Sequence, residues 1–192
     1  GALVLAAADG GAEPMIVATD AVVSAQAQER ILSFDSTGSG VAYLQAGVNG
    51  SSQAAVAVYE GASSGTTVPL TDPAVQIPTS FEFSPMDPVL FLQSLDADTG
   101  ETKPLAFVDP FNHTPFSTTI GAADPAFSPD GAYVYGVISS GVDQLARVEI
   151  QTAKVDFIVN QDEICNPQPS PDGTKVAYGS GRLCNELWVV NV

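Results

Sequence analysis

The turn Phe127-Ser128-Pro129-Asp130-Gly131, followed by the apolar run 133–138, recurs as Ser170-Pro171-Asp172-Gly173 before Lys175-Val176-Ala177-Tyr178. Looser copies stand at Phe83-Ser84-Pro85-Met86-Asp87, before Val89-Leu90-Phe91-Leu92, and at Phe34-Asp35-Ser36-Thr37-Gly38, before Val41-Ala42-Tyr43-Leu44. Each residue of the turn has a physical task. Proline pre-sets φ at the second position, Asp bonds back to the local backbone, and Gly takes a conformation that a Cβ opposes. From Gly38 to Asp87, Gly131 and Gly173 the spacings are 49, 44 and 42 residues. Four short strands with their turns occupy about 40–45 residues, so the period is that of a propeller blade.

Between turns the pattern is regular: a strand ending in the turn, a second strand, a variable loop, a third strand, a hairpin and a fourth. The first unit places strands near 31–34, 41–46, 54–59 and 67–70. The second places them near 80–83, 89–93, 104–108 and 116–119, and the third near 126–127, 133–138, 145–150 and 157–159. The last has 168–169, 176–178 and 186–190. Several are near-continuous apolar runs, as expected of strands buried on both faces. No segment carries a 3.6-residue period over ten or more positions, and the fold class is all-β. The frequent Gly (17) and Pro (14) fit many short strands joined by tight turns.

The domain reading is a strand pair and connector at 1–29, then blades at 30–77, 78–122, 123–164 and 165–192, together one propeller domain. In the N-terminal part, Leu3 to Ala8 and Met15 to Val17 flank an Asp9-Gly10-Gly11 hairpin turn, and 20–30 is a connector with a single helical turn at most. Gly1 in place of an initiating Met marks a processed product or a segment of something longer. The last unit lacks a fourth strand. Two arrangements satisfy that count: residues 15–18 supply the strand and close four blades, or the chain is part of a larger propeller. An open arc of four blades exposes two apolar end faces.

The Phe-Ser-Pro-Asp-Gly turn followed by a Val-Ala-Tyr strand resembles the WD40-like repeat of TolB-type propellers, a repeat also found in the propeller domains of prolyl-oligopeptidase-type peptidases. The resemblance covers residues 30–192 and is strongest in the last two units. The first unit has Asp35-Ser36 where Ser-Pro stands elsewhere, and the second replaces Asp-Gly by Met86-Asp87. What the resemblance implies is a β-propeller of four-stranded antiparallel blades that binds protein partners in the cell envelope.

Acids outnumber bases 22 to 6, for a net charge of −16. Such a chain repels phosphate backbones and anionic lipid, which argues against nucleic acid as a partner. No apolar run reaches the roughly 18 residues of a membrane helix. Cys165 and Cys184 are the only cysteines. With one before the last unit's first strand and the other between its second and third, both lie on one face of a propeller. A disulfide there is geometrically sensible and points outside the cytoplasm; two buried free thiols are the alternative. Two sulfurs without a nearby His do not make a zinc site.

Candidates for chemistry are few. His113 is the only histidine, in a turn-rich stretch, and reads as a loop residue. It alone cannot serve the several-histidine metal sites of propeller lyases, and a Ser-His-acid triad would depend on it. No Gly-x-Ser-x-Gly elbow exists. Asp96-Ala97-Asp98-Thr99-Gly100-Glu101 is faintly like a calcium loop without its full ligand set, and reads as an inter-strand loop. Asp162-Glu163 reads as surface and Trp188 as blade packing. Phosphate loops, dinucleotide fingerprints and basic-aromatic patches are missing. The expectation is therefore no catalytic, cofactor or metal residues. The sequence reads as a periplasmic or extracellular scaffold subunit of an envelope or membrane-associated complex. The alternatives are part of the gating propeller of a prolyl-oligopeptidase-type serine peptidase, or a propeller holding a small ligand or cation. Function is sought in the loops at 48–53, 96–101, 111–114 and 181–184.

Overall fold

The computed structural model describes residues 3–5, 15–18, 21, 32–46, 52–58, 66–72, 74–110, 114–117, 122–139 and 141–192. Strands β1 (Leu3–Leu5) and β2 (Met15–Ala18) form an antiparallel pair. The first blade is β3 (Leu32–Phe34), β4 (Gly40–Ala46), β5 (Ser52–Val58) and β6 (Thr66–Pro69). The second is β7 (Gln76–Phe83), β8 (Leu90–Asp96), β9 (Ala106–Asp109) and β10 (Thr114–Ser117). The third is β11 (Ala123–Phe127), β12 (Tyr133–Ser139), β13 (Asp143–Glu149) and β14 (Val155–Asn160). The fourth has three strands, β15 (Cys165–Pro169), β16 (Lys175–Ser180) and β17 (Glu186–Asn191). Within every blade, neighbours in sequence are antiparallel neighbours in the sheet.

Strand alternation turns each blade into a two-faced slab. In β8, Leu90 and Leu92 join Phe81 and Phe83 against Ala42, Leu44, Ala54 and Val56 of the first blade. Phe91, one residue out of phase, faces the other way with Phe107, onto Phe127, Val134 and Val148 of the third blade. The Phe91 and Phe127 rings lie 5.3 Å apart between centroids. Tyr135, Val137 and Leu145 then receive Val176 and Tyr178 of the fourth blade. This accounts for the unbroken apolar runs: both faces of an internal blade are core. Each fully buried Leu or Phe contributes on the order of 1.5–3 kcal/mol.

The turns share one hydrogen-bond circuit. The residue at the Ser position donates its N–H to the carbonyl five residues on in all four copies: Asp35 to Gly40, Ser84 to Val89, Ser128 to Tyr133 and Ser170 to Lys175, at 2.7–3.0 Å. In the two full copies the Ser hydroxyl donates to the Asp carboxylate (Ser128–Asp130 and Ser170–Asp172, both 2.6 Å). The same hydroxyls accept the N–H of Tyr133 and Lys175. In the first blade the roles are exchanged. Asp35 accepts the Thr37 hydroxyl at 2.5 Å and the Gly40 N–H at 2.9 Å, so its departure from the motif preserves the circuit. In the second, Ser84 Oγ accepts the Met86 and Asp87 N–H groups and closes the turn without a left-handed residue.

Several expectations need correction. The inner strands β7, β11 and β15 start earlier than the sequence pattern predicts, so Cys165 is the first residue of β15 rather than part of a connection before it. β11 and β15 carry a register shift, between Ala123 and Ala126 and between Cys165 and Gln168, which accommodates Pro125 and Pro167. Trp188 is not packed between blades: it is 47% exposed, and its indole N–H donates to Glu186. Among the described residues β2 pairs with β1, and β17 pairs only with β16, so the closure of four blades by 15–18 is not seen. Only one end of the arc is open in the way an unclosed arc implies. Val41 and Tyr43, on the leading face of the first blade, are buried, whereas Leu187 and Val189 on the trailing face of the fourth are 79% and 60% exposed. Asp9-Gly10-Gly11 and most of the 20–30 connector lie outside the described residues; Ala21 makes an isolated bridge to Gln45.

Candidate docking rim and axial cavity

Antiparallel succession sends the loops of each blade alternately to two rims. The Ser-Pro-Asp-Gly turns lie on one. The other carries the β8–β9, β12–β13 and β16–β17 loops and the links between blades, and there the copies differ. Loop and link are tied together on this rim. In the second blade the Ala97 N–H donates to the Val75 carbonyl at 3.1 Å. In the fourth, Cys165 and Cys184 form a disulfide, with Cα atoms 6.2 Å apart, joining the start of β15 to the β16–β17 loop. Gly179 lies beneath it; a methyl group there would meet Cys165 Sγ at 2.7 Å. The expected pairing of the two cysteines is therefore present.

The calcium-like loop resolves into a self-contained turn. Asp96 accepts the N–H groups of Asp98 and Thr99, both at 3.0 Å, and pairs with Lys103 at 2.9 Å. The Thr99 N–H above all, then the Lys103 ammonium, hold its carboxyl well below the usual carboxylate range. No group of three or more metal-binding side chains occurs among the described residues. His113 and the stretch 111–113 lie outside them, as does most of 48–53. The turn residues Ser84, Pro85, Ser128, Pro129, Asp130, Gly131, Ser170, Pro171, Asp172 and Gly173 stand on the opposite rim, where their bonds are structural.

Sequence reasoning missed the inner lip of the loop-bearing rim. Asp124 and Asn166 occupy the same place in the third and fourth blades, four residues before the turn serine and followed by proline. Both are held at positive φ, 50° and 48°. The Asn166 N–H donates to Asp124 Oδ2 at 3.1 Å, linking the two blades. The repeated Asx-Pro, at one offset from Ser-Pro-Asp-Gly, was the available signal. Ser80 is the equivalent residue of the second blade. These three positions, with Thr79, Phe91, Gln93 and Gln168 among others, line an axial cavity of about 340 Å³. Around the rim, Asp98, Glu101, Asp124, Asp162 and Glu163 face few bases, chiefly Lys103 and Arg182.

Stacked blades joined face to face about inner strands that line a cavity leave one architecture. The fold is that of a TolB-type, WD40-like β-propeller. Solved structures agree. A putative TolB from Agrobacterium tumefaciens matches with a TM-score of 0.63 at 18% identity, over 100% of this chain and 70% of its own. TolB from Acinetobacter baumannii matches with a TM-score of 0.60 at 18% identity, over 98% of this chain and 45% of its own. The chain thus spans less than half of that protein. A putative 6-phosphogluconolactonase from Bacteroides uniformis shares the propeller at a TM-score of 0.54 and 15% identity, over 99% of this chain and 60% of its own. No family model and no curated protein matches the chain. No helix among the described residues is long and apolar enough to cross a membrane.

Proposed function

We propose that this propeller is a non-catalytic docking module that works in the periplasm or outside the cell, as a scaffold subunit of an envelope or membrane-associated complex. The observation that carries the reading is the division of labour between rims. One repeats the same backbone closure of the turn four times, with side chains completing it locally. The other bears the β8–β9, β12–β13 and β16–β17 loops, which differ between copies, and the links between blades, rigidified by the Cys165–Cys184 bond and by the Asn166–Asp124 link. A rigid rim presenting different loops suits recognition of a protein surface, because little conformational entropy is lost on binding. The excess of carboxylates favours a basic partner face and faster encounter. The disulfide supports an oxidising compartment.

Two variants with equal charge change test it. Asp98→Lys/Glu163→Lys alters the loop-bearing rim, and Asp87→Lys/Gln151→Lys/Thr152→Lys alters the turn-bearing rim. Each is compared with the parent chain for partners recovered from native membranes by quantitative mass spectrometry. The docking reading expects the first variant alone to lose a protein that the parent retains. Equal loss in both, or in neither, contradicts it.

A further inference from the structure

Gln93 breaks the repeat. Nine residues after the turn position, the other blades carry Leu44, Val137 and Gly179, and the second carries a glutamine that is 4% exposed. On β8 it shares a face with Phe91 and Leu95, and all three form one wall of the axial cavity. Its Nε2 is occupied behind that wall, donating to the Ser94 and Lys103 carbonyls. That assignment fixes the amide orientation and leaves Oε1 buried without a donor. A buried acceptor left unmade is destabilising by about 1–3 kcal/mol in proteins generally, so such atoms are normally satisfied by something.

Across the cavity stands Asp124. Its Oδ2 accepts the Asn166 N–H, and no basic side chain among the described residues pairs with it. Both Asp124 and Asn166 hold left-handed conformations, which non-glycine residues adopt at some energetic cost and which cluster at binding sites. The remaining wall is partly apolar, with Phe91, Leu95 and Pro125. A cavity whose wall includes a side chain with an unpaired buried acceptor, an exposed carboxylate and apolar surface fits a guest with N–H donors, positive charge and a short hydrocarbon body. The field of a chain carrying −16 concentrates cations and excludes anions at its mouth.

We propose that the axial cavity is a binding site for a primary alkylammonium group, with Gln93 Oε1 and the Asp124 carboxylate as its acceptors. The chemistry is common to a free amine and to the lysine side chain of a protein. This site stands apart from the docking reading: loss of rim docking would leave amine binding intact, and the reverse. The test titrates the intact chain with n-butylammonium chloride and with n-butanol at constant ionic strength, following backbone amide shifts by NMR. Saturable shifts around Ala123 and Asn166 are expected for the ammonium, with a dissociation constant on the order of 1 mM, and none for the alcohol. Asp124→Asn keeps an oxygen for the Asn166 N–H and removes the charge; it should weaken binding by about tenfold or more. Gln93→Met, unbranched and apolar, should weaken it several-fold, and if that variant does not fold, Asp124→Asn decides. Nα-acetyl-lysine methylamide binding more tightly than butylammonium assigns the site to a protein lysine, and the opposite order assigns it to a free amine. Equal binding of butanol, an unchanged affinity in Asp124→Asn, or shifts mapping away from the cavity would overturn the proposal. An ordered water alone at Gln93 would produce those negative results.

Discussion

Gly131 and Gly173 occupy the same turn position in successive blades, and comparing them separates two energies. Both have positive φ, +68° and +69°. Replacing either by Ala incurs the left-handed penalty of about 1–2 kcal/mol. At Gly173 a new Cβ meets nothing within 4 Å, so the penalty ends there. At Gly131 it would lie 2.6 Å from Ser84 Oγ and 3.2 Å from Met86 Cβ of the preceding blade's turn. Ser84 cannot swing aside freely, because it is buried and its Oγ accepts the Met86 and Asp87 N–H groups. Overpacking of this kind adds about 1–3 kcal/mol. Urea unfolding should therefore show Gly131→Ala losing about 2–5 kcal/mol and Gly173→Ala about 1–2 kcal/mol. In a Ser84→Ala background the Gly131→Ala loss should shrink, since the nearest obstacle is gone. Equal losses at the two glycines, or no coupling to Ser84, would refute the turn-on-turn contact between blades.

Leu145 and Leu187 are also repeat equivalents, paired with Val137 and Gly179. Leu145 is fully buried and Leu187 is 79% exposed, so Leu145→Ala should lose about 2–5 kcal/mol by chemical denaturation and Leu187→Ala within about 0.5. The Cys165–Cys184 bond spans 19 residues, and its reduction should lower stability by about 3 kcal/mol in the chain-entropy model. Intact mass should rise by two hydrogen atoms on reduction, and an unchanged mass would contradict the pairing. The turn aspartates should give the fold acid sensitivity. The Ser170 hydroxyl first, then the Thr174 N–H and hydroxyl, hold Asp172 down at about 2, and the Ser128 hydroxyl and Ala132 N–H lower Asp130. With folded values below the unfolded value of about 4, this stabilisation is complete above about pH 4 and fades as pH falls through the folded values. Thermal midpoints measured across that range should decline, less steeply in Asp172→Asn.

The blade plan was legible because its determinants are local. Ser, Pro, Asp and Gly each dictate turn geometry by their own covalent structure, and two-faced burial appears as unbroken apolar runs. Even the irregular first turn keeps its circuit, since a carboxylate at 35 and a hydroxyl at 37 exchange the donor and acceptor roles of Ser and Asp. What escaped reading depended on neighbours in space. Pro125 and Pro167 look like strand breakers, yet a register shift lets the inner strands run on to Ala123 and Cys165. Trp188 reads as core by composition, and only the position of β17 at a free edge shows why it is half-exposed. Gln93 sits in an apolar run like any tolerated polar residue. Its importance follows from which face of β8 bounds the cavity.

The docking account turns on which rim meets a partner, and a cross-linking map measures that directly. A photoreactive phenylalanine analogue is placed singly at Asp98, Glu163 and Asn185 on the loop-bearing rim, and at Thr37, Gln151 and Thr174 beside the turns. Irradiation in the source cells should give discrete protein adducts from the first three positions and none from the last three. Adducts from the turn-bearing positions alone, or from neither set, would contradict the account.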